Sequence, residues 1–275
     1  SGAFQVVVDS ELPGPHTGLP SNEDTIDFGR RFSGLDRLYG IHGATAVRNA
    51  HVAVVGIGGV GSWAVEALAR SGVGRLTLID MDHVAESNIN RQVHALSTTI
   101  GMAKIEAMQE RIALINPHCH VRCLDAFVAT ENWPSILPSG VDAVIYACDQ
   151  VKAKTEMAHW SRSRDVIFIA VGAAGGKRRA HRVDIADLTD VTHDPLLAQV
   201  RYQLRKLHCA PRAGKKMGVH CVYSDEPVQS ADDSCQMQAD STLNCHGYGS
   251  VVSVTATFGL CAAGWVMDKI STSDR

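Results

Sequence analysis

The chain has 275 residues, 45% of them hydrophobic and 20% charged, with a formal net charge of −3. That composition excludes a disordered polyelectrolyte, and it excludes a protein whose overall charge would draw it to nucleic acid. Eight cysteines are scattered without a regular framework or a secretory signal, so reduced thiols in the cytoplasm are expected rather than a disulfide scaffold.

In chain order, residues 1–27 carry Gly and Pro punctuation (Pro13, Gly14, Pro15, Gly18, Pro20) with little periodicity and read as a disordered leader. The apolar run 52–55 reads as a buried strand. Gly56, Gly58, Gly59 and Gly61 then turn into an apolar helix over 63–69, and 76–79 is a second strand ending at Asp80. This order is that of a nucleotide-binding unit. Its glycines let the backbone approach a phosphate, and the helix start offers N–H groups and a positive dipole end. Asp80 is placed to accept a hydrogen bond from a ribose hydroxyl. Such a unit belongs by default to a nicotinamide-dependent oxidoreductase.

The next residues argue against that default. Asn88-Ile89-Asn90-Arg91-Gln92 comes after the second strand, and Lys104 opens a helix over 105–114 that Asn116-Pro117 ends. A pyrophosphate deep in the turn seldom needs a further arginine and lysine, whereas a triphosphate needs both to hold its charge and stabilise the leaving group. Arg91 and Lys104 are therefore read as phosphate-binding groups of an ATP site, the plainer alternative being solvated charges. Strands at 121–124, 141–147 and 166–171, with a helix over 154–162, continue the alternation. The expected fold is α/β, a doubly wound, mostly parallel sheet with a Rossmann-like adenylation core at 28–180. Residues 181–275 are expected to form a substrate-binding extension that completes the same domain.

Charge marks that extension. Lys177, Arg178, Arg179 and Arg182 cluster, and Arg201, Arg205, Lys206, Arg212, Lys215 and Lys216 come next, with no acid among residues 201–216. On a nearly neutral protein this suggests a patch for an anionic backbone; a solvated helix face is the alternative. Cys209, Cys221, Cys235 and Cys245 stand apart with no Cys-x-x-Cys pair, so no structural zinc is expected. Cys235 follows Asp232-Asp233-Ser234, acids that keep a thiol protonated, which argues against a nucleophile there. His94, beside the phosphate cluster, is expected to pack. The uncharged run 249–267 has the length of a membrane span, but its serines, threonines and glycines favour a helix buried against the sheet.

Gly56-x-Gly58-Gly59-x-Gly61, Asp80, Asn88-x-Asn90-Arg91-Gln92, Lys104 and Cys148-Asp149 resemble the adenylating superfamily of ubiquitin-activating enzymes and molybdopterin- and thiamine-pathway activators, over roughly residues 30–175. The resemblance implies that Asp80 holds the ribose, that Asn88, Asn90, Arg91, Gln92 and Lys104 contact phosphates, and that Asp149 assists Mg2+. It also implies a homodimer in which Arg37 reaches the neighbouring subunit's nucleotide. Within that superfamily, 31–40, Ile79-Asp80-Met81-Asp82, 90–96, the glycines after 171 and 254–259 are similar to the tRNA threonylcarbamoyladenosine dehydratases, over nearly the whole chain after residue 28. This adds Asp82 to the nucleotide-binding set. It implies ATP-dependent cyclisation of a modified adenosine next to a tRNA anticodon, with the basic patch on the anticodon arm and a cysteine desulfurase system as a further partner. The alternative is an adenylating activator of a small ubiquitin-like or sulfur-carrier protein.

Overall fold

The computed structural model describes residues 26–232 and 248–273. Seven strands form one sheet: β1 (His51–Val55), β2 (Arg75–Ile79), β3 (His120–Leu124), β4 (Ala143–Tyr146), β5 (Ile167–Val171), β6 (Val183–Asp187) and β7 (His220–Ser224). Their spatial order is β3-β2-β1-β4-β5-β7-β6, and every neighbouring pair is parallel except β6 with β7. The doubly wound, mostly parallel α/β fold expected from the sequence is the one observed.

The apolar runs make sense in this position. β1 lies inside the sheet between β2 and β4, and its side chains serve both faces alternately. Val52 and Val54 enter one core with α2 (Gly61–Arg70), α3 (Lys104–Ile115) and α6 (Val252–Ser271). Ala53 and Val55 enter the other, with α4 (Val151–Ser161) and α5 (Pro195–His208). A strand covered on both faces must be apolar throughout, so it reads as an unbroken hydrophobic run rather than an alternating one. α6 buries one face, including Val254, Phe258, Ala262 and Val266, against α2 and the sheet, and leaves Val252 and Leu260 exposed. Among the described residues no helix is long and apolar enough to cross a membrane.

Three elements beyond residue 180 have no counterpart in the sequence pattern: β6, α5 and β7. β6 and β7 are short and broken by polar residues; β6 is the last strand of the sheet and pairs only with β7. α5 does carry a start signal, Asp194-Pro195. The Asp194 carboxylate accepts from the Leu197 amide at 2.9 Å, and Pro195 occupies the first turn. α1 (Phe28–Asn49) is likewise additional to the expected elements; it is broken at Gly40, where φ is 73°.

Strand direction divides the molecule into two edges. The carboxy ends of β1, β2, β4, β5 and β7 share one edge with the start of antiparallel β6, since Val171 pairs with Val222 and Val183 with Ser224. The glycine turn and the segments 172–182 and 225–232 therefore lie on this edge. β7 begins on the opposite edge, where His220 pairs with Asp187, the last residue of β6.

Candidate active site

Glycine shapes the turn after β1 because there is no room for anything else. Gly56 has φ of 87°, and a Cβ on it would come within 2.6 Å of Cys148 Sγ and 2.9 Å of the Ala147 carbonyl. A Cβ on Gly61 would land on the Gly56 carbonyl oxygen. From the other side, α6 brings Gly259 so close that a Cβ there would fall 2.8 Å from the Ala64 amide. The turn leaves the Gly58, Gly59 and Val60 amides without a hydrogen-bond partner among the described residues, at the positive end of α2. Asp80 braces it from below: Oδ2 accepts from the Ile57 amide at 2.6 Å and Oδ1 from the Asp82 amide at 2.8 Å.

The 85–92 segment folds over this turn. The Asn88 side-chain carbonyl oxygen accepts from the Ala85 amide at 2.9 Å, so this buried side chain shapes the segment rather than facing outward. Two side chains of α2 hold the end of the segment. Trp63 Nε1 donates to the Arg91 carbonyl at 2.9 Å, and Ser62 Oγ accepts from the Val93 amide at 3.3 Å. The Arg91 stem consequently lies on Gly59, where a Cβ would sit 3.3 Å from Cγ and Cδ. Its guanidinium donates to the Ser87 carbonyl at 2.8 Å and to Asn90 Oδ1 at 3.0 Å, while Asn90 Nδ2 donates to the Ser250 carbonyl at 3.1 Å. Gln92 is buried beside Gly58, and its Oε1 has no partner among the described residues. Its Nε2 is the atom nearest Gly58, so N–H donors already stand beside the turn. An orphaned buried amide over unpartnered turn amides fits the phosphates of a nucleotide.

Lys104 starts α3 and is buried, with Nζ 3.3 Å from Asp82 Oδ2. His94 is also buried; its Nε2 lies 2.8 Å from the Ile57 carbonyl, and burial lowers its pKa to about 4. It is therefore neutral and packs beneath the turn. Asp149 is exposed just past β4. Beneath this edge lies a cation that no motif announces. Lys154 is fully enclosed, donates to the Val171 carbonyl and sits 5.4 Å from the Tyr146 ring centroid. Burial lowers its pKa, opposed chiefly by the charge of Asp149 and then of Asp194. No group of three or more His, Cys, Asp or Glu able to hold a metal exists among the described residues.

The ThiF family model matches residues 33–275. The chain belongs to the ThiF family. It is 43% identical over 246 residues to a tRNA threonylcarbamoyladenosine dehydratase of Haemophilus influenzae, covering 89% of this chain and 94% of that one. The Escherichia coli protein of the same name is 41% identical over 250 residues, with 88% and 93% covered. The solved Escherichia coli tRNA N6-threonylcarbamoyladenosine dehydratase in complex with ATP superposes with a TM-score of 0.80 at 39% identity, covering 88% of this chain and 94% of that one. Its complex with AMP gives the same TM-score at 40% identity.

The remaining predicted residues of this ThiF-family chain divide by edge. The basic patch expected as one surface is two. Lys177, Arg178, Arg179 and Arg182 lie on the nucleotide edge, while Arg205, Lys206, Arg212, Lys215 and Lys216 lie toward the opposite one, with Arg201 midway along α5. Lys177 does not belong to any surface. It is 2% exposed, and its ammonium donates to the carbonyls of His193, Ser224 and Glu226 at 2.8, 2.7 and 2.9 Å. Burial lowers its pKa. It is an internal tie, where a patch residue was expected. Buried Glu226 completes the bracket by accepting from the amides of Arg178 and Arg179 at 3.0 and 2.8 Å. Burial works to raise the Glu226 pKa, but the amide donors outweigh it and hold the carboxyl below its usual range. The Arg178 and Arg179 side chains are left exposed. Arg182 pairs with Asp225 at 2.6 Å.

Arg37 is exposed on α1, away from this chain's own turn. Its helix packs on the far ends of its neighbours: Phe32 contacts Gly72, Arg31 donates to the Ile115 carbonyl, and Gly43 abuts Ser271. Cys235 and Cys245 lie outside the described residues. Of the supporting residues absent from the sequence motifs, Trp63 and Glu226 act through partners at least 28 positions away, and no local pattern announces them. Asp194 alone gives a signal, as a helix cap.

Proposed function

We propose that this protein is an ATP-dependent tRNA-modifying enzyme that cyclises N6-threonylcarbamoyladenosine beside the anticodon, with loss of water. One observation supports this most: the Arg91 stem lies against Gly59 and the buried Gln92 amide beside Gly58, in the glycine turn whose amides are unpartnered among the described residues, in a chain that matches dehydratases of that name along almost its whole length.

The chemistry is set by the substrate. A free carboxylate resists attack because its leaving group would be oxide. Transfer of an adenylyl group from ATP to that carboxylate makes an acyl anhydride, and the neighbouring ureido nitrogen then closes the ring, expelling AMP. Both reacting groups belong to one molecule, so proximity carries this step and no protein nucleophile is needed. The Gly58, Gly59 and Val60 amides, Gln92 and Arg91 hold the phosphates. Lys104, released from Asp82, meets the charge on the departing pyrophosphate. Asp80 exchanges its bond to the Ile57 amide for the ribose, with Asp82 beside it. Asn88 and Asn90 serve by shaping the segment that carries Arg91. Asp149 would be the residue to hold Mg2+, which would neutralise phosphate charge and would need few protein ligands. Arg178 and Arg179, mounted on the same edge, bind anticodon-loop phosphates. The protein acts in the cytoplasm as a homodimer, in which Arg37 completes the partner's site.

The test is tRNA-dependent ATP turnover together with nucleoside analysis of the treated tRNA. Arg91→Ala or Lys104→Ala lowers turnover by about 100-fold or more, the scale of losing one donor to developing charge. Turnover within a few-fold of the parent protein refutes the assignment.

A further inference from the structure

We propose that the basic surface on the edge opposite the nucleotide site is a second contact for the same tRNA, gripping the backbone of its double-helical stem while the loop lies at the first edge. This rests on the functional reading above.

α5 links the two places. At its start, Asp194 accepts from the Ala173 amide at 2.9 Å, which fixes that end to the tip of β5 on the nucleotide edge. Its fourteen residues span about 21 Å at 1.5 Å each, and the chain beyond its end joins the opposite edge, where Arg162 at the end of α4 donates to the Met217 carbonyl at 2.9 Å. No acidic residue occurs between Asp194 and Asp225, so the entire descent and the loop below it carry only positive charge. The solvent face of α5 presents Gln199, Tyr202 and Lys206 at helical spacing, and Tyr202 is 59% exposed with Lys206 Nζ 5.8 Å from its ring centroid.

The stripe ends in a groove of about 530 Å³ lined by Arg201, Arg205, Lys215 and Lys216 and by one acid, Asp190. Its walls are stiff. Arg201 donates to the carbonyls of Leu188 and Val191, both at 2.9 Å, and Arg205 to that of Pro211 at 3.1 Å. Lys216 is paired with Asp190. Lys206, Arg212 and Lys215 are exposed and have no acidic partner among the described residues. Three free cations at the end of an acid-free chain segment, where the one acid in the groove is paired with Lys216, suit a regular phosphate backbone, and roughly 20 Å from the loop site the backbone of a hairpin substrate is duplex. An RNA duplex offers side chains its phosphates and 2′-hydroxyls rather than its deep groove, so this contact adds affinity and register without reading sequence.

The experiment compares the full-length modified tRNA with a short anticodon stem-loop that carries the same nucleoside but ends before the second edge. The variant is K206E/R212E/K215E, with thermal unfolding measured alongside to confirm an intact fold. The expected result is a KM for full-length tRNA raised about 10-fold or more at unchanged kcat, and a dependence of log KM on log salt that is shallower by about 3, one for each lost phosphate contact. Kinetics on the short stem-loop stay as in the parent protein. An unchanged KM for full-length tRNA, or an equal loss on both substrates, overturns the inference while leaving the functional reading standing. A parent protein inactive on both substrates overturns the two together.

Discussion

Two loops on the same sheet edge are held in place by opposite means. The turn at 56–61 is fixed by what is missing: Gly56, Gly61 and, from α6, Gly259 allow backbones to pass at distances that a Cβ would forbid. The loop at 172–182 is fixed by what is enclosed: the Lys177 ammonium on three carbonyls and the Glu226 carboxylate on two amides, with Asp194 beneath Ala173. The first device leaves amides unpartnered and ready for an anion. The second consumes its tying polar groups internally and leaves Arg178 and Arg179 exposed. On the proposed function, a glycine lock suits a surface that phosphates would touch, and a charge lock suits a platform that must stay still while side chains reach from it.

The sharpest way to break this contrast is at Gly61. With an alanine Cβ directed at the Gly56 carbonyl oxygen, backbone must move, and a shift of about 1 Å in a catalytic constellation costs on the order of 100-fold. Gly61→Ala is expected to lower tRNA-dependent ATP turnover by at least that factor, measured at saturating tRNA. A fully active variant would show that the turn is slack.

Lys177→Met tests the other lock. The substitution preserves length but strands three buried carbonyls, each worth about 1–3 kcal/mol when left unpaired, partly relieved by relaxation. A loss of about 3 kcal/mol in denaturant unfolding is expected. The KM for tRNA should rise through displaced Arg178 and Arg179, and ATP binding without tRNA should be little changed. Equal damage to ATP binding would mean that the two loops are one unit.

This contrast also explains what can be read from the chain alone. Glycines, Asp80, Arg91 and Lys104 are legible because the constraint is carried by residue type within a short stretch, and buried parallel strands advertise themselves as apolar runs. Lys177 reads as a patch residue because its sequence neighbours are arginines, whereas its environment is made by His193, Ser224 and Glu226 from elsewhere in the chain. Charge in a sequence reports net valence but not burial, and burial here is decided by pairings up to 49 positions apart. The two-edge division of the basic residues is hidden for the same reason: it depends on β6 and β7, short polar-broken strands whose direction no local pattern reveals.

The mildest probe uses pH, and it distinguishes the loops by the window in which each responds. His94 beneath the glycine turn has its pKa lowered from 6.5 to about 4 because burial disfavours the imidazolium. The unfolded chain therefore takes up the proton first as pH falls, and the stability present above pH 6.5 drains away progressively down to about pH 4. Between pH 7.5 and 5.5 this one group removes about 1 kcal/mol. The Lys177–Glu226 bracket adds nothing in that window: Glu226 is held below its usual range, and Lys177, lowered by burial, keeps its proton as its three carbonyl contacts require. Chemical denaturation of the parent protein and of His94→Asn at the two pH values isolates the effect. The parent should lose about 1 kcal/mol more than the variant on acidification, and identical losses would mean that His94 is protonated in the folded state and that the turn rests on a charge after all.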